Sequence, residues 1–372
     1  MVKKILILLR ILWTAGAQRI AINEYNWLKK LGYEPELVFL RKGNTKGYEE
    51  MLKDINYKVV REGNGILTPL FYAGTKLFAR DRGIESTVDL DLIMKVPEIA
   101  KMEGADYLIC HDQFAGIGGL KAKEKYNIPY SVFIHEKVVT YSFPFLGKFI
   151  NDLERKVLIK ASKVFAVTEK VKETIYQKHG ITAEVNYPGM DKISEVPYSK
   201  KENLLISVSF WDFGRRPWDY IDLMKNIEDY KLLMVGNWRL RSAKENFLEK
   251  LKKEKMDNNV ILKEGVSESE LHSLYEKSKF GIRFGYGEYG PAMFTIETIQ
   301  HTLPIIINDE LGIAKMIKEN GAGYVVHEIN YSKIKEFLNK IDQNKYQDLQ
   351  SNIKKLQQKY SWLNHAKKLV DI

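Results

Sequence analysis

The chain has 372 residues, with 58 Lys+Arg against 48 Asp+Glu and a formal charge of +10. A hydrophobic fraction of 45% with 12% aromatic residues excludes a disordered or fibrous chain, and the length predicts two domains, because one core rarely grows past ~250–300 residues. The single cysteine, Cys110, excludes an intramolecular disulfide framework and a Cys-based structural zinc site, and fits a cytoplasmic protein.

Lys3-Lys4 followed by Ile5 to Leu9 has the composition of a signal peptide, but Arg10 interrupts the run and a patterned helix follows where a small-residue cleavage site would stand. The segment is predicted to be a buried strand. No stretch reaches the ~18 apolar residues of a membrane span, so membrane contact would be peripheral. Positive charge is spread along the sequence and not gathered into a recognised module, so the expected anionic partners do not include nucleic acid.

In chain order, Ile5–Leu9 is followed by a turn at 13–17, and Ile20, Ala21, Tyr25, Leu28 and Leu31 then recur at helical spacing until Gly32. With Glu36–Leu40 as the next strand, this is a βαβ unit of a parallel sheet. Tyr107–Cys110, ending in a buried inert thiol, Tyr130–Ile134 and Val164–Val167 continue the sheet. The loop Tyr187 to Asp191 and the polar, unpatterned stretch Pro197 to Asn203 place a boundary near 190–202, and Leu204–Val208, Lys231–Val235, Asn259–Leu262, Phe280–Arg283, Pro304–Ile307 and Tyr324–Val326 restart the theme. Ser267 and Glu270 form a capping-box signature, with Leu271, Leu274 and Tyr275 on the apolar face of its helix. The predicted fold class is α/β, with two Rossmann-like parallel-sheet domains facing a cleft at the carboxyl ends of their strands. The domains are 1–192 and 203–350, with 351–372 as a C-terminal helix.

Candidate chemistry falls in the loops after strands. Gly16 opens the first helix, either as a tight turn or where backbone N–H groups receive phosphate. Neither GxGxxG nor GxxxxGK[ST] occurs. His111 and His135 each end a strand, read either as packed residues or as hydrogen-bonding groups facing a substrate, and neither belongs to a metal-ligand spacing. Arg215-Arg216 reads as a phosphate clamp or as a solvated charge pair. The densest segment runs from Gly285 to Glu297. Its glycines free the backbone, Pro291 can start a helix, the N–H groups of Ala292, Met293 and Phe294 can bind phosphate or sugar oxygens, and Glu297 can accept from a ribose diol.

Read together, Gly16-Ala17-Gln18-Arg19, Ile128-Pro129 through His135-Glu136, Pro188-Gly189-Met190-Asp191, Leu232 to Gly236, Gly265-Val266-Ser267, Gly321 to Val326 and Ser361 to Ala366 resemble, in order and separation, the landmarks of the retaining GT-B glycosyltransferases, the family of bacterial mannosyltransferases and sucrose-type synthases. The resemblance implies the two-domain GT-B fold and transfer of a sugar from a nucleotide diphosphate sugar to an acceptor hydroxyl, with retention and without a cofactor or metal. It implies that His135 stands near the donor sugar, that Gly16 and Arg215, with Arg216 as neighbour, serve the diphosphate, and that Glu297 binds the ribose. Two departures stand out. Ser209-Phe210 occupies the place of a Gly-Arg pair, and Glu288 and Glu297 are separated by one residue more than the family's two glutamates. Strict spacing puts Tyr289 in the first glutamate's place, whereas a bulge among the glycines would keep Glu288 there as a catalytic residue.

The competing readings are a nucleotide-sugar epimerase of the same fold and a non-catalytic nucleotide-sugar-binding subunit. The expected acceptor is a glycan, lipid-linked or otherwise amphiphilic. Lys137 to Ile150, rich in aromatic residues and flanked by Lys137 and Lys148, reads either as core or as an interfacial surface for peripheral contact with anionic membrane at the inner membrane face.

Overall fold

The computed structural model describes residues 3–13, 15–43, 49–62, 89–141 and 146–371. The chain folds as two compact units, one of Met1–Pro188 with Trp362–Ile372, the other of Gly189–Ser361. The first holds a parallel sheet of β1 (Lys4–Leu12), β2 (Glu34–Lys42), β3 (Tyr57–Arg61), β4 (Tyr107–His111), β5 (Tyr130–Ile134), β6 (Lys163–Ala166) and β7 (Glu184–Val185). Their order is β3-β2-β1-β4-β5-β6-β7, with Leu8 in register with Val38 on one side and Cys110 on the other. Ile5 to Leu9 are all buried, as a strand covered by helices on both faces must be.

The first helix spans Gly16–Lys30 and buries Ile20, Ala21, Tyr25 and Leu28. It stops because Gly32, at φ +88°, takes the left-handed conformation. The Gly32 N–H then bonds the Lys29 carbonyl and the Tyr33 N–H that of Leu28, both at 3.1 Å, which completes a Schellman motif.

In the second unit β8 (Leu204–Val208), β9 (Lys231–Val235), β10 (Val260–Lys263), β11 (Phe280–Arg283), β12 (Ile305–Asn308) and β13 (Gly323–Val326) are also parallel. Their order, β10-β9-β8-β11-β12-β13, reverses between β8 and β11. In such sheets the loops on either side of the reversal diverge and leave room for a ligand.

The division differs from the expected 1–192, 203–350 and 351–372. Residues 190–196, just before the polar stretch Pro197 to Asn203, are held to the second unit by backbone bonds: Met190 N–H to the Tyr360 carbonyl and Ile193 N–H to that of Gln300, both at 2.7 Å. Gln350 Nε2 donates to the Val196 carbonyl at 3.1 Å. Residues 351–359 belong to the helix Gln343–Lys359 of the second unit, and only the helix Trp362–Val370 counts with the first. The capping box is half made. Ser267 Oγ accepts the Glu270 N–H at 3.2 Å, but the Glu270 carboxylate takes Lys263 Nζ at 2.6 Å.

His301 anchors the same boundary segment. Its Nδ1 lies 2.8 Å from Ser194 Oγ and its Nε2 2.8 Å from His272 Nδ1. Burial, with His272 and Lys201 adding positive charge nearby, lowers its pKa from 6.5 to about 4. Between these values an unfolded chain holds a proton that the folded one lacks, so stability falls as pH drops from 6.5 towards about 4. Unfolding free energies from urea titrations across this window should fall less steeply for His301→Gln, by up to about 1.4 kcal/mol per pH unit. Parallel slopes would remove His301 as the source.

Candidate functional site

In the second unit the loop after β8 is fixed before it reaches the arginines. Trp211 is 1% exposed; its indole N–H donates to the Val235 carbonyl at 3.1 Å and its backbone N–H to that of Asn237 at 2.9 Å. Asp212 then caps the short 3₁₀ turn Phe213–Arg215 by accepting the Arg215 N–H at 3.0 Å. Beyond this turn the two arginines part. Arg215 donates to Glu288 Oε1. Arg216, at φ +43°, turns to Asp219, at 3.1 Å from Nε and 3.3 Å from Nη2, and its guanidinium lies 4.8 Å from the centre of the Tyr286 ring. The Tyr286 hydroxyl also donates to Asp219, and burial pushes that phenol well above its ordinary range.

Glu288 Oε1 accepts a second guanidinium, from Arg283 Nη2 at 2.9 Å. Arg283 closes β11 and is 3% exposed. Its Nε and Nη1 are buried and make no hydrogen bond among the described residues. The loop that carries Glu288 is pinned from behind. Asn308 exchanges two bonds with Gly285, at 2.7 and 2.9 Å, and Glu310 accepts the Gly287 N–H at 2.8 Å. Gly312 lies so close to the Tyr289 carbonyl that a Cβ there would stand 1.7 Å from the oxygen. The side chain of this loop that meets the arginines is Glu288.

The following helix spans Met293–Gln300 and does not begin at Pro291, whose carbonyl accepts the Thr295 hydroxyl. Ala292, at φ +52°, is its N-cap, and no side chain caps that terminus. The N–H groups of Met293 and Phe294 therefore open the helix, where the dipole favours an anion. One turn further, half-buried Glu297 accepts the Tyr275 hydroxyl at 2.6 Å.

In the first unit Gly16 is the first residue of its helix, and Ala15, the N-cap, supplies no side-chain bond. His135 follows β5 directly and is half-buried. Burial, then the neighbouring His111, holds its imidazole well below the usual range. His135 Nε2 lies 2.8 Å from His111 Nδ1, and His111 Nε2 lies 2.7 Å from Glu24 Oε2. Cys110 is fully buried, and burial pushes its thiol upward, which suits an inert role. Of the aromatic-rich segment, Val138, Tyr141 and Ile150 pack inward while Phe149 is 62% exposed; Phe143 and Phe145 lie outside the described residues.

Each cluster lies within one unit: Arg215, Arg216, Glu288, Pro291 to Phe294 and Glu297 in the second, Gly16 and His135 in the first. Sequence reasoning missed Arg283, Asp219, Tyr286, Glu24 and His365. Two of them left a signal. Arg283 ends an otherwise apolar strand, and Glu24 falls next to Tyr25 on the buried face of the first helix. Among the described residues no group of three or more His, Cys, Asp or Glu is placed to hold a metal ion, and no helix is long and apolar enough to cross a membrane.

A family model described as Glycosyltransferase Family 4 matches residues 14–192, and one described as Glucosyltransferase 3-like, C-terminal domain, matches residues 226–371. A "Probable sucrose-phosphate synthase" from Thermosipho melanesiensis is 25% identical over 401 residues, covering 96% of this chain and 90% of that protein. Among solved structures, Anabaena HepE in complex with UDP and glucose superposes with a TM-score of 0.76 at 15% identity, covering 99% of this chain and 98% of that one. A glycosyltransferase from Rickettsia africae gives 0.71 at 18% identity, covering 99% and 96%. The chain thus has the GT-B fold, and its two parts are each similar to a glycosyltransferase family model.

The shared Glu288 oxygen makes unequal demands on its partners. Removing Glu288 strands the buried Arg283 charge, a loss worth about 3–5 kcal/mol in comparable pairs, whereas removing Arg215 leaves Glu288 paired with Arg283. Glu288→Ala should therefore destabilise the second unit much more than Arg215→Ala, read by denaturant unfolding on the fluorescence of Trp211, Trp218 and Trp238. Equal losses would show that Arg283 does not depend on Glu288.

Proposed function

We propose that this protein is a retaining glycosyltransferase that moves a sugar from a nucleoside diphosphate sugar to an acceptor hydroxyl. The observation that carries the reading is the pair of guanidiniums, Arg215 and Arg283, gathered on Glu288 at the carboxyl ends of β8 and β11, with an uncapped helix start at Met293 and the Glu297 carboxylate one turn on. Two cations and a helix dipole suit a diphosphate, and a half-buried carboxylate suits a vicinal diol. Arg283 takes the place of the arginine missing at Ser209-Phe210. Arg216, engaged by Asp219, shapes the loop.

The barrier lies in charge separation. As the bond between the anomeric carbon and the phosphate oxygen breaks, the sugar becomes cationic and the diphosphate gains negative charge. Arg215, Arg283 and the N–H groups of Met293 and Phe294 stabilise the leaving group as that charge develops. Glu288 keeps the guanidiniums in register and offers Oε2 to a sugar hydroxyl. The acceptor oxygen attacks on the face the phosphate leaves, and its proton passes to the departing phosphate oxygen. The products are a glycoside of unchanged anomeric configuration and a free nucleoside diphosphate. In the first unit, the open helix start at Gly16 suits a phosphate oxygen and His135 suits a sugar hydroxyl.

A uridine diphosphate sugar is the first donor to test, since the similar HepE structure holds UDP and glucose. The proposed acceptor is a glycan or a lipid-linked or otherwise amphiphilic molecule, reached by peripheral contact with an anionic membrane. The exposed Phe149 beside Lys148 supports that contact.

Titration calorimetry with UDP, GDP and ADP should find one that binds, and Glu297→Ala should weaken it by roughly 1.5–3 kcal/mol through loss of a charge-assisted hydrogen bond. In single-turnover transfer or donor hydrolysis, Arg215→Ala should slow the chemical step more than Arg216→Ala. Absence of binding by all three nucleotides to the folded protein would sink the proposal, and a dead Arg216 variant beside an active Arg215 variant would overturn the assignment of the clamp.

A further inference from the structure

The first unit buries a chain of ionisable groups that extends well beyond His135. Glu24, on the apolar face of the helix Gly16–Lys30, has no exposed surface. One of its carboxylate oxygens lies 2.7 Å from His111 Nε2 and the other 2.8 Å from His365 Nε2. Burial works against ionisation here, but the facing imidazoles outweigh it and hold the Glu24 carboxyl well below the ordinary carboxylate range.

The protons of this chain follow from counting donors and acceptors. His365 Nδ1 lies 2.8 Å from the Tyr187 carbonyl, which can only accept. Its Nε2 faces an ionised carboxylate, which also only accepts. Both nitrogens of His365 therefore carry hydrogen, and the ring is an imidazolium balanced by Glu24. A second buried cation at His111 would have no counter-charge and would be costly. His111 is therefore neutral, with its hydrogen on Nε2, donated to Glu24, and a lone pair on Nδ1. The atom 2.8 Å from that lone pair is His135 Nε2, which must be a donor. His135 then keeps its own lone pair on Nδ1, which makes no hydrogen bond among the described residues.

Packing fixes the same rings. Phe133 stands edge-on to three of them, with centroids at 5.7 Å from His111, 4.6 Å from His135 and 5.7 Å from His365. Immediately after His111 the backbone is strained, because Asp112 has φ +105° and ψ 166°, a region otherwise left to glycine. It is held there by its carboxylate, which accepts the N–H groups of Phe114 and Ala115 at 2.9 and 2.8 Å and the Arg10 guanidinium at 2.6 Å.

We propose that Glu24, His111 and His365 are positioning residues that lock His135 in the tautomer protonated at Nε2, so that Nδ1 is presented to a substrate hydroxyl as a hydrogen-bond acceptor. The inference rests on the transferase reading for the identity of that substrate, but the tautomer itself can be observed in the free protein. His365 lies on the helix Trp362–Val370, so this helix takes part in setting the proton on His135, about 230 residues away in sequence.

The test is nitrogen NMR of the full chain labelled with 15N-histidine. In the wild type near neutral pH, His135 should show a protonated Nε2 and a bare Nδ1, and His365 should show both nitrogens protonated. In His111→Phe, with folding checked by circular dichroism, His135 should relax to a mixture of tautomers. His111→Asn, which keeps a short side-chain acceptor, should recover part of the wild-type pattern and covers the case in which the phenylalanine variant fails to fold. Turnover should fall roughly tenfold to a hundredfold in kcat for His111→Phe, with KM for the donor little changed. A wild-type His135 protonated at Nδ1, or a His135 signal unmoved in both variants, would overturn the proposal. The expected tautomers in a chain that turns over no nucleotide sugar would instead overturn the transferase reading and leave the locked tautomer supported.

Discussion

One carboxylate oxygen, Glu288 Oε1, sets the arrangement at the carboxyl ends of β8 and β11, because it collects the guanidiniums of Arg215 and Arg283. Arg283 is almost wholly buried, and a buried guanidinium without a counter-charge would destabilise the strand end that carries it. The carboxylate satisfies that demand only where its loop holds it, and the loop stays there because Asn308, Glu310 and Gly312 grip its backbone. Backbone capture thus places a charge, the charge places two cations, and the cations define where an anion is best received. A second carboxylate, Asp219, keeps Arg216 out of this group and so makes two adjacent arginines unlike in environment.

The first unit applies the same logic with imidazoles. Parallel strands covered on both faces leave few polar positions, so the polar side chains that do go inside must satisfy one another. Glu24 meets His111 and His365 with its two oxygens, and the Phe133 ring packs against the histidines. The result is a set of hydrogen-bonding atoms whose roles are determined by their neighbours and not by solvent.

The sheets were legible in the sequence because buried parallel strands read as continuous apolar runs. Tyr130–Ile134, Leu204–Val208, Lys231–Val235 and Phe280–Arg283 have the same bounds in sequence and structure. β3 and β7 were not legible: the first shows half-exposed and exposed side chains, and the second has only two residues. Arg215 and Glu297 were candidates because each sits in a loop or helix start after a strand, and Glu288 through the family resemblance, against strict spacing. Their partners escaped sequence reasoning. Arg283 reaches Glu288 within one loop, but Tyr275 and Glu297, Arg216 and Tyr286, and Glu24 and His365 meet only through the tertiary fold. The unit division after Pro188 differs from the expected boundary near 190–202 for a related reason, since 190–196 is tied down by backbone bonds that composition cannot reveal.

The pairing of Glu24 with His365 also bears on the order in which the chain can be completed. Glu24 enters an apolar interior, and one of its two compensating groups lies beyond residues 189–361, the whole of the second unit. A ribosome must therefore synthesise that entire unit before the first can close its buried charge balance. Synthesis usually lets the N-terminal domain of a protein finish first. Here the later unit can be native while the earlier one still holds a buried carboxylate short of a partner, so the first unit to begin emerging is the last to reach its final fold.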